Sequence, residues 1–141
     1  MIKRLALLSF LFLGINTYAE DRNFINKSPE EGLREALEYY DIKYPDIVYA
    51  QAILETGNFK SKICKRKNNL FGLRKGKRYV KYNHWVDSVI AYKNKIQNRY
   101  KEGEDYYKFL KRIKYAENPK YIIILKKIVN QENYKTKENC L

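Results

Sequence analysis

The sequence predicts a mainly α domain of the α+β class, in which several α-helices accompany one small β-hairpin. Three observations carry this prediction: a strong helix start at residues 28–31, a long apolar helix that ends at Gly57, and a turn-containing segment around Gly76. Three more helical stretches follow, separated by Gly103 and by Asn118-Pro119. A chain of 141 residues has the size of one domain, and we expect one.

The first nineteen residues form a predicted secretory signal. Lys3 and Arg4 precede an apolar run at residues 5–15, and Thr-Tyr-Ala at residues 17–19 forms a small-residue cleavage site. The run is too short for a membrane span, which needs about 20 residues, and no cysteine follows it as in a lipoprotein. We therefore expect an exported, periplasmic or extracellular protein, with a domain over residues 20–130 and a polar, basic, poorly ordered tail over residues 131–141.

The first two helices have clear boundary signals. Ser28 can cap the first helix, Pro29 suits its first position, and Glu31 completes a capping box, so the helix should run to about residue 40. The second helix begins near Pro45 and ends at a glycine. Its apolar residues between positions 47 and 54 cover most of its circumference, so we expect it in the middle of the fold.

Residues 60–81 hold ten Lys and Arg residues and no acid. We interpret them as a loop followed by a hairpin, with strands at residues 70–74 and 78–82 and a turn at Lys75-Gly76-Lys77. The formal charge of +13, which falls by two when Lys3 and Arg4 leave with the signal, indicates an anionic partner. An exported protein meets anionic wall polymers and lipid head groups before nucleic acid, and charge alone does not choose among these partners. We expect anionic wall polymers as partners, no nucleic acid, and a monomer without stable membrane insertion.

Three predicted helices complete the domain at residues 87–100, 106–114 and 119–130, with Asp87 as the cap of the first. Cys64 and Cys140 leave two alternatives open, a bridge in an oxidising compartment or two free thiols. Together with the lone His84 they do not make a zinc site, and we expect neither a metal nor an organic cofactor.

Glu55 is the most informative residue, because it ends an otherwise apolar helix just before a glycine. The negative end of the helix dipole and partial desolvation both favour a protonated carboxyl there. A general acid that protonates a glycosidic oxygen near neutral pH needs such an environment. The alternative is that Glu55 turns outward to meet a neighbouring lysine, and local physics leaves both open.

Three blocks of sequence resemble the glucosaminidase domain of glycoside hydrolase family 73, found in flagellar rod-assembly proteins and autolysins. They are AQAILETGNF at residues 50–59, NNLFGL at residues 68–73 and YAENPKY at residues 115–121. The resemblance covers about residues 28–130, and the order of the blocks makes it specific.

This resemblance implies a lysozyme-like fold, with a helical lobe and a small β-lobe flanking a glycan-binding groove. It implies that Glu55 is the catalytic acid and that Tyr115 is a second active-site residue. The implied reaction is hydrolysis of the peptidoglycan β-1,4 bond on the reducing side of N-acetylglucosamine, between it and N-acetylmuramic acid. Peptidoglycan glycan strands are therefore the implied partner.

One departure from the family concerns the second carboxylate that many members place in the β-lobe. This chain has no Asp or Glu between Glu55 and Asp87, so a two-carboxylate inverting mechanism has only Asp87 or a more distant acid. Asp87 is explained more simply as a helix cap. We favour substrate assistance, in which the 2-acetamido oxygen attacks its own anomeric carbon and Tyr115 steadies the acetamido group or the developing charge.

Aromatic residues supply candidates for sugar stacking, because sugar rings present apolar faces. Tyr79, Tyr82 and Trp85 fall on or after the hairpin, where they either face the groove or pack the small β-lobe. Asn69 either orients a loop beside the acid or forms the turn, which we favour. Phe71 is assigned to the core, and the tyrosines at positions 92, 100, 106 and 107 are assigned to core or surface.

Two rival functions remain open. A catalytically silent peptidoglycan-binding protein would keep the groove and lack the chemistry. A muramidase or lytic transglycosylase would use a similar fold to break the other glycosidic bond.

Overall fold

A computed structural model describes residues 22–139, so the predicted signal and Cys140 lie outside the described residues. Six α-helices and one two-stranded antiparallel sheet form this part of the chain, which confirms the mainly α (α+β) class. In chain order they are α1 (Pro29–Tyr39), α2 (Pro45–Thr56), α3 (Lys62–Lys67), β1 (Arg74–Lys75), β2 (Arg78–Tyr79), α4 (Trp85–Lys95), α5 (Tyr106–Arg112) and α6 (Tyr121–Glu138). Two short 3₁₀ helices lie at Asn23–Asn26 and Gln97–Arg99.

Helices α1 and α2 follow their predicted boundaries. The Ser28 side chain accepts a hydrogen bond from the Glu31 amide, and the Glu31 side chain accepts one from the Ser28 amide, so the predicted capping box is present. Gly57 ends α2 in the left-handed conformation, with φ of 56°. Helix α2 packs against α1 and α6, and all five of its residues from 48 to 52 are buried, which confirms its central position.

The segment between α2 and α4 differs from the prediction in two ways. Helix α3, capped by Ser61, occupies part of the expected loop. Each strand is only two residues long, and the Asn69 side chain binds the chain before and after the hairpin. Its amide nitrogen donates to the carbonyls of Leu73 (2.8 Å) and Val80 (2.9 Å), and its oxygen accepts from the Leu73 amide. The turn is one residue shorter than predicted, because Lys75 already pairs with Arg78 and only Gly76-Lys77 lies between them.

Helix α4 starts two residues earlier than predicted, and Asp87 is not its cap. His84 is the cap, because its Nδ1 accepts a hydrogen bond from the Val86 amide at 3.2 Å. The Asp87 carboxylate completes this capping box by accepting from the His84 amide at 3.0 Å. The helix ends at Lys95, and a 3₁₀ helix replaces the expected last turn.

The C-terminal helix α6 is longer than predicted. It continues to Glu138, so the expectation of a poorly ordered tail is wrong for residues 131–138. Glu132 explains part of this extension, because its carboxylate lies 3.6 Å from the Arg34 guanidinium of α1 and 2.7 Å from Lys135. No helix within residues 22–139 is both long and apolar enough to cross a bilayer.

The core lies between α1, α2, α4, α5 and α6. Phe71, Tyr92 and Tyr106 are almost fully buried, as assigned from the sequence, whereas Tyr100 and Tyr107 are partly exposed. The Cys64 thiol is buried, and both alternatives for the cysteine pair stay open because Cys140 lies outside the described residues.

Candidate active site

A groove of about 480 Å³ opens at the C-terminal end of α2, where Glu55 is the penultimate helical residue. Two further segments complete its lining: residues 71–74 with Tyr79 around the hairpin, and residues between 95 and 117 around the ends of α4 and α5. The three sequence blocks of the resemblance therefore each contribute residues to one groove. A second hollow, of about 420 Å³ between α1 and the start of α2, contains none of these residues.

The Glu55 carboxyl is half-buried in this groove, and the burial raises its pKa above the ordinary value. The Tyr121 hydroxyl and the positive charge of Arg74 act in the opposite direction and limit the rise. Within residues 22–139 Glu55 forms no salt bridge, so it does not turn outward to a lysine. A carboxyl in this environment favours the protonated form that a general acid requires.

A buried amide positions the tyrosine beside Glu55. The Gln51 side chain, fully buried on α2, donates to the Tyr121 hydroxyl at 3.3 Å and accepts from the Tyr92 hydroxyl at 2.6 Å. Because the Tyr121 oxygen already accepts from Gln51, its own proton is free to be donated to the Glu55 carboxyl, with which it interacts.

The same series of hydrogen bonds extends across the core. The Tyr92 and Tyr106 hydroxyls are 2.8 Å apart, and Tyr106 must be the donor because the single Tyr92 proton goes to Gln51. Tyr106 in turn accepts from Gln97 at 2.9 Å. Every donor in this buried series therefore points toward the groove, which fixes the direction of the last hydroxyl.

Gly72 lies against the carboxyl of Glu55. Its φ of +62° is in the left-handed region, and a Cβ built on it would lie 2.9 Å from Glu55 Oε2. The preceding carbonyl, that of Phe71, accepts a hydrogen bond from the Tyr115 hydroxyl at 2.8 Å. Burial raises the pKa of Tyr115 well above its ordinary value, so this hydroxyl remains a donor. Tyr115 thus holds the segment that forms the wall beside Glu55.

Tyr79 lies in the groove as predicted, and Arg74 covers its ring. The Arg74 guanidinium is 4.3 Å from the ring centroid, and its Nη2 donates to the Tyr79 hydroxyl at 2.6 Å. The buried Asn69 side chain does not line the groove; it binds the backbone of Leu73 and Val80, on either side of the hairpin.

Three other predicted site residues do not line the groove. Trp85 is only 4% exposed, packs against Phe24 and donates its indole N–H to the Lys27 carbonyl, so the expectation that it faces the glycan is wrong. Tyr82 packs against the core with its hydroxyl buried, and Asp87 is bound to the start of α4. Tyr82 and Asp87 lie outside the groove because the chain enters α4 soon after the short hairpin.

A model of the family described as Glucosaminidase, mannosyl-glycoprotein endo-beta-N-acetylglucosaminidase, matches residues 30–134. The chain belongs to this glucosaminidase family. The match spans most of the chain and includes all three blocks that meet in the groove. Comparisons with curated proteins and with solved structures give no match. Membership of the glucosaminidase family supports a glycan hydrolase function and a glycan as the bound substrate.

The structure adds residues of this glucosaminidase groove that sequence reasoning did not single out. Glu117 lies in the third block and lines the groove, so it is the more distant acid that the search for a second carboxylate left unnamed. Tyr121 ends the same block. Both residues could have been proposed from the sequence, because their block was already part of the resemblance. No group of three or more His, Cys, Asp or Glu side chains that could hold a metal occurs within residues 22–139.

Proposed function

We propose that this protein is an exported endo-β-N-acetylglucosaminidase that cleaves peptidoglycan at the β-1,4 bond on the reducing side of N-acetylglucosamine, next to N-acetylmuramic acid. The observation that carries the proposal is the half-buried Glu55 carboxyl, whose pKa is raised by burial, in a groove formed by the three family blocks. A neutral carboxyl can give its proton to the bridging oxygen as the glycosidic bond breaks.

The proposed reaction uses the substrate as its own nucleophile. The 2-acetamido oxygen attacks the anomeric carbon, the glycosidic bond breaks, and the leaving oxygen takes the Glu55 proton. Water then attacks the same carbon and reopens the acetamido ring, and the Glu55 carboxylate takes a proton from that water. Both the atoms and the charge of Glu55 are restored at the end of the cycle.

In this proposal Tyr115 is a positioning residue. Its hydroxyl proton is given to the Phe71 carbonyl, which supports a role in holding the Phe71-Gly72 backbone beside Glu55 and argues against direct donation to the acetamido group. Tyr79, with Arg74 across its ring, offers an aromatic surface for a sugar within the same groove.

The test compares wild type with Glu55→Gln on peptidoglycan embedded in a gel. Glutamine keeps the shape of the side chain and removes the transferable proton, so we expect clearing to fall by about 100- to 10,000-fold. Equal clearing by the two proteins would remove Glu55 from the chemistry. Circular dichroism of both proteins is the control for folding.

Mass spectrometry of the released fragments decides between the rival reactions. A reducing-end N-acetylglucosamine supports the proposed cleavage. A reducing-end N-acetylmuramic acid would identify a muramidase, an anhydromuramic end a lytic transglycosylase, and binding without any release a silent wall-binding protein. Export is tested separately, because the mature protein should begin directly after Ala19.

A further inference from the structure

The groove carries more positive charge than a neutral sugar requires. Its lining includes Arg74, which is engaged with Tyr79, and three further cations that we call the cationic rim: Lys95, Arg99 and Lys114. Against these four cations the lining holds only two acids, Glu55 and Glu117.

The rim side chains are available to a ligand. Within residues 22–139 none of the three side chains forms a salt bridge or a hydrogen bond. The Arg99 backbone is nevertheless held in place, because its carbonyl accepts from Arg112 at 2.9 Å and Arg112 is paired with Glu104 at 2.7 Å. The three rim side chains themselves are exposed at the groove, so a ligand bound there can reach them.

Lys114 occupies a backbone conformation that does not favour lysine. It follows α5 with φ of +52°, a position at which glycine and asparagine are the usual residues of a helix end. The left-handed conformation is unfavourable for a residue with a side chain. A lysine at this position is consistent with a use for its charge in the groove.

We propose that the cationic rim binds the carboxylates attached to N-acetylmuramic acid. The inference rests on the proposed function and deepens it. N-acetylglucosamine is uncharged, whereas each muramic residue carries a lactyl carboxyl that is either free or joined to an anionic peptide stem. Ion pairs with these carboxylates would place a muramic residue, and not a second N-acetylglucosamine, next to the glycosidic bond that Glu55 protonates.

The test measures binding to the mature Glu55→Gln protein, so that no strand is cut during the measurement. Three soluble strands of equal length are compared by isothermal titration calorimetry at low salt: a neutral N-acetylglucosamine oligomer, glycan stripped of peptides, and glycan with its peptide stems. The rim variant is Lys95→Gln, Arg99→Gln, Lys114→Asn, in which asparagine suits the left-handed position. The control removes the same charge from three exposed lysines outside the groove, as Lys108→Gln, Lys127→Gln, Lys137→Gln.

We expect the rim variant to weaken binding of a carboxylate-bearing strand about tenfold, since three exposed ion pairs are lost. Binding of the neutral oligomer should be unchanged, and the control variant should resemble the parent on all strands. An effect on both glycans indicates the lactyl carboxyl, and an effect on the peptide-bearing glycan alone indicates the stem. The inference is overturned if the neutral oligomer loses as much affinity, if both variants behave alike, or if no strand binds. Failure of the proposed hydrolysis is distinguishable, because it appears in the gel assay and leaves these dissociation constants unaffected.

Discussion

At the scale of single residues, the site depends on opposing influences on one carboxyl. Burial raises the pKa of Glu55, while Tyr121 and Arg74 lower it from two different elements. A general acid must be protonated before it can donate and must be a carboxylate before it can accept from water. The partial compensation by Tyr121 and Arg74 is suited to a group that serves in both forms.

Tyr121→Phe should move the alkaline limit of activity to higher pH. The Tyr121 hydroxyl lowers the pKa of Glu55, so its removal raises that pKa further and keeps the acid protonated to higher pH. The measurement is kcat against pH on soluble glycan. Tyr134→Phe, on the same helix but exposed, is the control. A shift to lower pH would show that Tyr121 does not stabilise the carboxylate.

Glu117→Gln should retain activity within about tenfold of wild type, because the substrate-assisted route needs only one protein carboxylate. The direct readout is the anomer released, followed by NMR before it equilibrates. Two successive inversions at the anomeric carbon would give retention. Inversion, together with a loss of 100-fold or more of the rate, would instead make Glu117 the base of a two-carboxylate mechanism.

At the scale of elements, the segment between α3 and β1 determines the shape of the groove wall beside Glu55. The Asn69 side chain bridges the two ends of the hairpin by donating to the Leu73 and Val80 carbonyls. Tyr115, which follows α5, donates its hydroxyl to the Phe71 carbonyl. Between them Gly72 approaches Glu55 more closely than any residue with a Cβ could. A rigid wall of this kind keeps the carboxyl in one position without a salt bridge.

Gly72→Ala should reduce kcat about 100-fold, because a Cβ placed 2.9 Å from Glu55 Oε2 displaces the acid. The hairpin provides a matched control. Gly76 has φ of +61°, nearly the same as Gly72, but a Cβ there has no atom within 4 Å. Both variants should lose roughly 1–2 kcal/mol of unfolding free energy. Equal activities of the two variants would contradict the role of the close contact.

At the scale of the whole molecule, positive charge is concentrated in two places with different consequences. The stretch at residues 60–81 forms α3 and the hairpin, and most of its Lys and Arg residues are exposed. The cationic rim lies instead within the groove. The exposed stretch is suited to long-range attraction toward anionic wall polymers, whereas the rim contacts the substrate itself.

Binding to insoluble peptidoglycan should weaken steeply as salt is added. The screening length falls from about 8 Å at physiological ionic strength to about 3 Å at 1 M, which suppresses attraction between exposed charges. A pull-down across a salt series measures this. Lys62→Gln, Lys65→Gln, Arg66→Gln on α3 should bind less than the variant with Lys108, Lys127 and Lys137 replaced by glutamine. Binding that ignores salt would exclude the electrostatic account.

Local sequence patterns were sufficient for much of the fold. The capping box at Ser28, the glycine at the end of α2 and the apolar surface of that helix each act over a few residues, and each prediction is confirmed. Where two local signals compete, the predicted boundaries of helices and strands were wrong. His84 occupies the capping position predicted for Asp87, and the predicted five-residue strands are only two residues long.

Which residues line the groove depended on packing between residues that are far apart in the sequence. Glu55 was singled out from its place in the chain, but Trp85 could not be assigned, because it closely follows the hairpin and yet packs against the core instead of lining the groove. The cationic rim likewise gathers residues from the ends of α4 and α5, which have no common local pattern. Periodicity and capping arise from neighbours within a few positions, whereas burial and pKa arise from contacts between residues far apart in the chain.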